Sequence, residues 1–204
     1  MSYYLLAFLI ALVVALILGP LVIAASKKIK ASQTVLEYVK EHSSKSGTPT
    51  LGGIIFIVAS LVALCFFTKN YTLAIIALAS MFAYGILGFL DDFIKIRYKQ
   101  NLGLKPYQKI IGQVGIATIL AFFCYYSNLL GTTIYLPFVK TTIDLSWGVI
   151  PFIILVYLAV TNSVNLTDGL DGLAAGVSTS YLIGFVTLLF LYQKFATSTI
   201  MVEE

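Results

Sequence analysis

Asn162, Asn165, Asp168 and Asp171 recur at every third position in the run Asn162-Ser-Val-Asn-Leu-Thr-Asp-Gly-Leu-Asp-Gly172. If the run is helical, this spacing aligns four oxygen-bearing side chains along one face. Gly169 and Gly172 permit a tight backbone, or close approach by a ligand. Hard cations such as Mg²⁺ take oxygen ligands, usually one or two carboxylates plus substrate phosphates. Asn, Asp and Gly also cluster in ordinary turns. Four amide and acid groups between two apolar stretches favour the functional reading here.

A second acidic feature is Gly88-Phe-Leu-Asp-Asp-Phe93, where Asp91 and Asp92 end an apolar stretch. Adjacent helical residues point about 100° apart, so the two carboxylates need not share one role. Ionisable groups at a bilayer boundary cost free energy and are functional candidates by default. The plainer reading is a solvated helix end with Lys95 as a salt-bridge partner at the next turn.

Two basic segments accompany the acids. Lys45-Ser-Gly-Thr-Pro-Thr50-Leu-Gly-Gly53 supplies a lysine suited to phosphate and small residues that leave room for a ligand. It also reads as a helix start, with Thr48 as N-cap and Pro49 in the first turn, and a helix N-terminus itself attracts phosphate. Gly103-Leu-Lys-Pro-Tyr-Gln-Lys109 places Gln108 and Lys109 at headgroup level, while Lys105 reads as a snorkelling lysine. No Walker-type phosphate loop occurs, so transport driven by nucleotide hydrolysis is not indicated.

The elements that must position these groups are apolar helices. Of 204 residues, 59% are hydrophobic and 11% charged, against about a quarter charged in soluble domains. With a mean hydropathy of +0.96, the chain is expected to reside in a bilayer. Six apolar runs lie near residues 4–25, 51–68, 71–90, 108–130, 147–163 and 172–193, each about the length a bilayer core requires. The expected fold is all-α, a polytopic transmembrane bundle forming a single membrane domain over 1–204, without a β-barrel pattern.

Charge placement sets the expected orientation. Ten of the thirteen basic residues fall in the segments after the first and third runs. The positive-inside rule puts those segments, and the turn around Asp168, in the cytoplasm, with the N-terminus outside. Six of the nine acids fall on the same side. The first run lacks a basic n-region, and so is not read as a cleavable signal. Cys65 and Cys124 sit in apolar runs as buried hydrophobes, and His42 alone cannot build a His-rich metal site. The small net charge of +4 gives no reason to expect a nucleic-acid partner. A channel or transporter would place acids near span centres; these lie at span ends on one side.

Taken in order, the stretches His42-x-x-Lys-x-Gly-Thr-Pro-Thr-Leu-Gly-Gly53, Gly88 to Phe93, Gly103-Leu-Lys-x-x-Gln-Lys109 and Asn162 to Ala174 resemble the bacterial phospho-N-acetylmuramoyl-pentapeptide transferases. These belong to the polyprenyl-phosphate N-acetylhexosamine-1-phosphate transferase superfamily. The resemblance implies transfer of phospho-MurNAc-pentapeptide from UDP-MurNAc-pentapeptide to undecaprenyl phosphate, giving lipid I and UMP, with Mg²⁺ as cofactor. It implies a multi-pass enzyme of the bacterial inner membrane with cytoplasmic active-site loops, and a homodimer is kept as an option.

By the same resemblance, Asp91, Asp92 and Asp168 are candidate catalytic and Mg²⁺-binding residues. Lys45, Thr50, Lys109, Asn162, Asn165 and Asp171 are candidate substrate-binding residues. The family resembles ten-span proteins, and its later acidic motif and His-rich loop do not occur in this sequence. The chain is accordingly expected to be an N-terminal part, sharing its metal site with a downstream aspartate it lacks. An inactive paralogue and a UDP-GlcNAc-type transferase are the alternatives.

Overall fold

The computed structural model describes residues 2–28, 51–67, 71–98, 103–127, 131–136, 138–170 and 172–200. Six α-helices carry most of these: α1 (Ser2–Lys28), α2 (Gly53–Phe67), α3 (Tyr71–Tyr98), α4 (Pro106–Tyr126), α5 (Val149–Thr167) and α6 (Leu173–Ile200). Between α4 and α5 lie two short antiparallel strands, β1 (Thr133–Leu136) and β2 (Thr141–Asp144), and a 3-10 turn at Ser146–Gly148. The polytopic helical expectation is met.

Among the described residues, five stretches are long and apolar enough to cross a membrane: Leu5–Lys28, Thr72–Tyr98, Pro106–Tyr126, Ser146–Thr167 and Leu173–Tyr192. The apolar run expected near 51–68 gives a shorter helix. α2 has 15 residues, about 22 Å at the usual rise, against a hydrocarbon core of about 30 Å. Its start also differs from the expected one at Thr48–Pro49, which lie outside the described residues. Leu51 adopts a left-handed conformation (φ 74°), so the helix begins only at Gly53. Ile54 and Ile55 donate their amides to the carbonyls of Leu51 and Gly52.

The chain divides into two compact units, Met1–Leu155 and Val156–Glu204, with the boundary inside α5. In the first unit α1 packs on α2 and α2 on α3, and residues of all three helices, the small Ala7, Ala11, Ser60, Ala63 and Ala77 with Phe8, Leu64 and Met81, line a shared cavity. Small residues let apolar helices approach closely where lipid removes the hydrophobic incentive to associate. Glycines do the same for the next contacts. A Cβ at Gly85 would lie 2.8 Å from Ile57 Cδ1, and one at Gly112 would lie 2.8 Å from Leu87 Cδ1.

Helices α3 and α4 are further joined by the Tyr84 hydroxyl, which donates to the Gln113 carbonyl at 3.2 Å. The start of α5 packs on α4 through Ala121, Val149 and Ile150, with Tyr125, Leu145, Ile153 and Ile154 around them. Most other large apolar side chains face outward, as lipid-facing helices require. Hydroxyls within the apolar helices donate to carbonyls one turn back, as in Thr118 to Val114 and Thr161 to Tyr157. This satisfies them without water. In the second unit, α6 continues the same pattern with Thr179, Ser180 and Thr187.

Candidate active site

The apolar stretch preceding Asp91 was expected to end at the acids. Helix α3 instead continues to Tyr98, placing Asp91 and Asp92 about two turns inside it. The continuation has local causes. Lys95 lies one turn beyond both acids, Phe93 stacks on Phe89 at 6.1 Å between centroids, and Lys95 and Arg97 in the last turn complement the helix dipole.

Although adjacent, the two carboxylates converge on one cation. Lys95 Nζ lies 2.6 Å from Asp91 Oδ2 and 3.2 Å from Asp92 Oδ1. The salt-bridge reading of Lys95 is therefore correct for both acids. It leaves room for chemistry, because Asp92 engages this lysine through one oxygen only.

Asp91 has a second partner that no side-chain pattern announces. The Leu104 amide donates to Asp91 Oδ1 at 2.8 Å, so its two oxygens are divided between Lys95 and the backbone leading into α4. Gly103 makes this approach feasible. A Cβ there would lie 2.6 Å from Asp91 Cγ and 2.7 Å from the Asp91 carbonyl oxygen, distances that real side chains do not adopt.

The start of α4 is fixed just beyond this contact. Pro106 occupies the first turn, the Lys105 amide donates to Gln108 Oε1 at 3.0 Å, and the Lys109 amide bonds the Lys105 carbonyl. Lys105 is exposed and Lys109 half-buried in the first turn of α4. The first unit thus brings together Asp91, Asp92, Lys95 and the Gly103–Leu104 entry to a lysine-bearing helix.

The third-residue series divides differently. Asn162 and Asn165 lie on α5, which ends at Thr167; Asp168, Gly169 and Leu170 form a turn, and Asp171 lies outside the described residues. The four groups are therefore not aligned on one helical face. A three-residue step turns a helix by about 300°, so successive members drift by about 60° even before the helix ends.

The Asn162 side-chain amide donates to the Leu158 carbonyl at 2.8 Å, and the Thr167 hydroxyl donates to the Ser163 carbonyl. The second of these bonds lies in the last turn of α5. Gly172, with φ of 79°, lies in the connection directly before α6, and the Leu173 amide bonds the Leu170 carbonyl. Asn165 and Asp168 are exposed. Lys45 and Thr50, like Asp171, lie outside the described residues.

Among the described residues no three acids, histidines or cysteines gather closely enough to enclose a metal ion. The Asp91–Asp92 pair nevertheless matches the donor set of Mg²⁺, which needs only one or two carboxylates when phosphates and water complete its shell. Lys95 bridges the two carboxylates and Leu104 takes the other Asp91 oxygen, so such an ion would be met by the Asp92 oxygen that Lys95 does not contact, with lysine charge beside it.

The sequence model of glycosyl transferase family 4 matches residues 73–203, a stretch containing both acidic segments. A phospho-N-acetylmuramoyl-pentapeptide-transferase of Thermoanaerobacter sp. is 48% identical over 189 residues, covering 91% of this chain and 59% of that protein. Proteins of the same name from Desulfitobacterium hafniense and Clostridioides difficile are 40% and 43% identical, covering 90% and 83% of this chain and 56% and 53% of their own lengths. The chain thus spans somewhat over half the length of these relatives.

Proposed function

We propose, because the chain belongs to glycosyl transferase family 4, that it carries part of a phosphoglycosyl transferase site. The reaction moves phospho-MurNAc-pentapeptide from UDP-MurNAc-pentapeptide to undecaprenyl phosphate, giving lipid I and UMP. The observation that carries the reading is the convergence of Asp91, Asp92 and Lys95 beside the entry to α4. It lies within a segment 48% identical to a relative bearing that enzymatic name.

Phosphoryl transfer depends mainly on positioning and on stabilising charge that develops between the reacting oxygens. In this reading Asp92 faces the reacting phosphates and Asp91 is held in place by Lys95 and Leu104. Lys109 and Lys45 offset phosphate charge. Asn162, Asn165, Asp171 and Thr50 bind the nucleotide-sugar. By the family resemblance Asp91, Asp92 and Asp168 are the carboxylates assigned to Mg²⁺, and the ion would supply neutralisation of pyrophosphate charge. Residues 1–204 act as one membrane domain of a bacterial inner membrane, with these loops on the cytoplasmic side and the N-terminus outside.

Competition between two donors tests the substrate. The protein in undecaprenyl-phosphate-containing vesicles with Mg²⁺ is offered UDP-MurNAc-pentapeptide and UDP-GlcNAc together, and the lipid-linked product is identified by mass. A MurNAc-pentapeptide product supports the proposal. A GlcNAc product assigns the chain to the other sugar branch, and nucleotide binding with no lipid product assigns it a binding role.

A further inference from the structure

We propose that the β1–β2 hairpin is an amphipathic anchor lying flat in the lipid headgroup region of the bilayer crossed by α4 and α5. Its register pairs Thr133 with Asp144, Ile134 with Ile143, Tyr135 with Thr142 and Leu136 with Thr141. Side chains alternate across a strand, so Ile134, Leu136 and Ile143 share one face with Thr141 at its end, while Thr133, Tyr135, Thr142 and Asp144 share the other. At the tip, Phe138 is 99% exposed and Val139 70% exposed, beside Lys140 in a left-handed turn (φ 52°).

An isolated two-stranded hairpin is marginal in water, and among the described residues neither strand packs broadly on a helix. On the apolar face Ile134 and Leu136 are half-buried and Ile143 is exposed, so the face is covered only in part. The bilayer surface is the occupant that the connections favour. Six residues separate the end of α4 from β1, and four separate β2 from α5. The hairpin is thus tethered at both ends to helices of span length.

Aromatic residues mark that level. Exposed Tyr126 and Trp147 stand at the two span ends, and Tyr125 packs on Trp147 at 5.4 Å between centroids. Tyr and Trp at span ends form the interfacial belt of membrane proteins. The hairpin is about 13 Å long, longer than the headgroup layer is deep, roughly 5–8 Å. Upright, it would carry Phe138 and Val139 out into water. Flat, it buries the Ile134–Leu136–Ile143 face and the tip together, with Lys140 among anionic headgroups and the Tyr135–Asp144 face toward water.

The chain has a single tryptophan, Trp147, which makes a direct test practical. The full chain carrying Trp147→Phe and Phe138→Trp is reconstituted in phosphatidylcholine–phosphatidylglycerol vesicles, with and without brominated acyl chains. A parallel reporter carries Trp147→Phe and Thr142→Trp on the polar face. Brominated lipid should quench the reporter at 138 by about twofold or more and leave that at 142 nearly unchanged, while aqueous acrylamide shows the reverse order. Ile143→Trp, again with Trp147→Phe, replaces the tip reporter if the first variant does not fold. Absence of lipid quenching on the apolar face overturns the proposal. Acrylamide access would then show a hairpin standing in water, and protection from both quenchers would show a protein surface, such as a second copy, covering it.

Discussion

The Leu104 amide reaches back 13 positions to donate a 2.8 Å hydrogen bond to Asp91. This bond ties the entry of α4 to the acidic end of α3 and occupies the Asp91 oxygen that Lys95 does not. It divides the labour of the adjacent acids: Asp91 is held from two sides, whereas Asp92 contacts Lys95 through one oxygen.

Gly103 is the residue on which that bond depends. Gly103→Ala places a methyl group 2.6 Å from Asp91 Cγ, so either the backbone or the carboxylate must move. The expected cost is about 1–3 kcal/mol of stability, as for overpacking elsewhere. Loss of UMP release should exceed what the unfolded fraction explains. Melting in detergent, alongside the UMP assay on the folded protein, checks both.

The two acids should respond unequally to neutralisation. Asp91→Asn weakens a charged contact with Lys95 and a backbone bond, at an expected cost of about 1–3 kcal/mol. Asp92→Asn removes one longer, more exposed contact and should cost under about 1 kcal/mol. Both should lower turnover, Asp92→Asn without a matching loss of stability. Paired melting and turnover measurements distinguish the holding role from the reacting one.

Gly172 holds a left-handed conformation (φ 79°) between the Asp168 turn and α6. A Cβ there meets open space, so the penalty of Gly172→Ala is conformational, about 1–2 kcal/mol. Gly176→Ala, with open space and no positive φ recorded, is the control. It should be neutral or mildly stabilising in the same melting assay.

Asp144 gives the region before α5 an acid-sensitive element. Bonds from the Thr132 side chain, then from the Ser146 amide and hydroxyl, hold its carboxyl below the usual carboxylate range. The folded pKa is depressed, so this contribution is fully present above the unfolded value of about 3.9. It is lost as pH falls through the lower folded value. Asp144→Asn should therefore flatten the acid end of a melting-temperature profile below about pH 4 and leave its slope near neutrality unchanged. Unchanged acid dependence in the variant would contradict this assignment.

How far the sequence reveals these features depends on which atoms carry them. The spans follow from continuous apolar runs, and the Lys95 partnership follows from one-turn spacing. The persistence of α3 to Tyr98 does not, because apolar length marks where a membrane ends and says little about where a helix does. The Leu104–Asp91 bond uses a backbone amide, which has no side-chain signature; Gly103 was its only visible trace.

The end of α5 is different. Gly169, Gly172 and the Asn-Asp composition signal a turn as well as a possible helical face, and the turn prevails because α5 ends at Thr167 and a three-residue step drifts around the helix. The hairpin was passed over because two strands of four residues are short beside the apolar runs that dominate the chain. Lys45, Thr50 and Asp171 stand on sequence alone.

The central claim is transfer to a lipid phosphate, and acceptor-dependent release of UMP tests it most directly. Protein in vesicles with Mg²⁺ and UDP-MurNAc-pentapeptide should release UMP only when undecaprenyl phosphate is present, in equal amount to the lipid-linked product. UMP release that ignores the acceptor, or nucleotide binding with no release at all, would contradict the account.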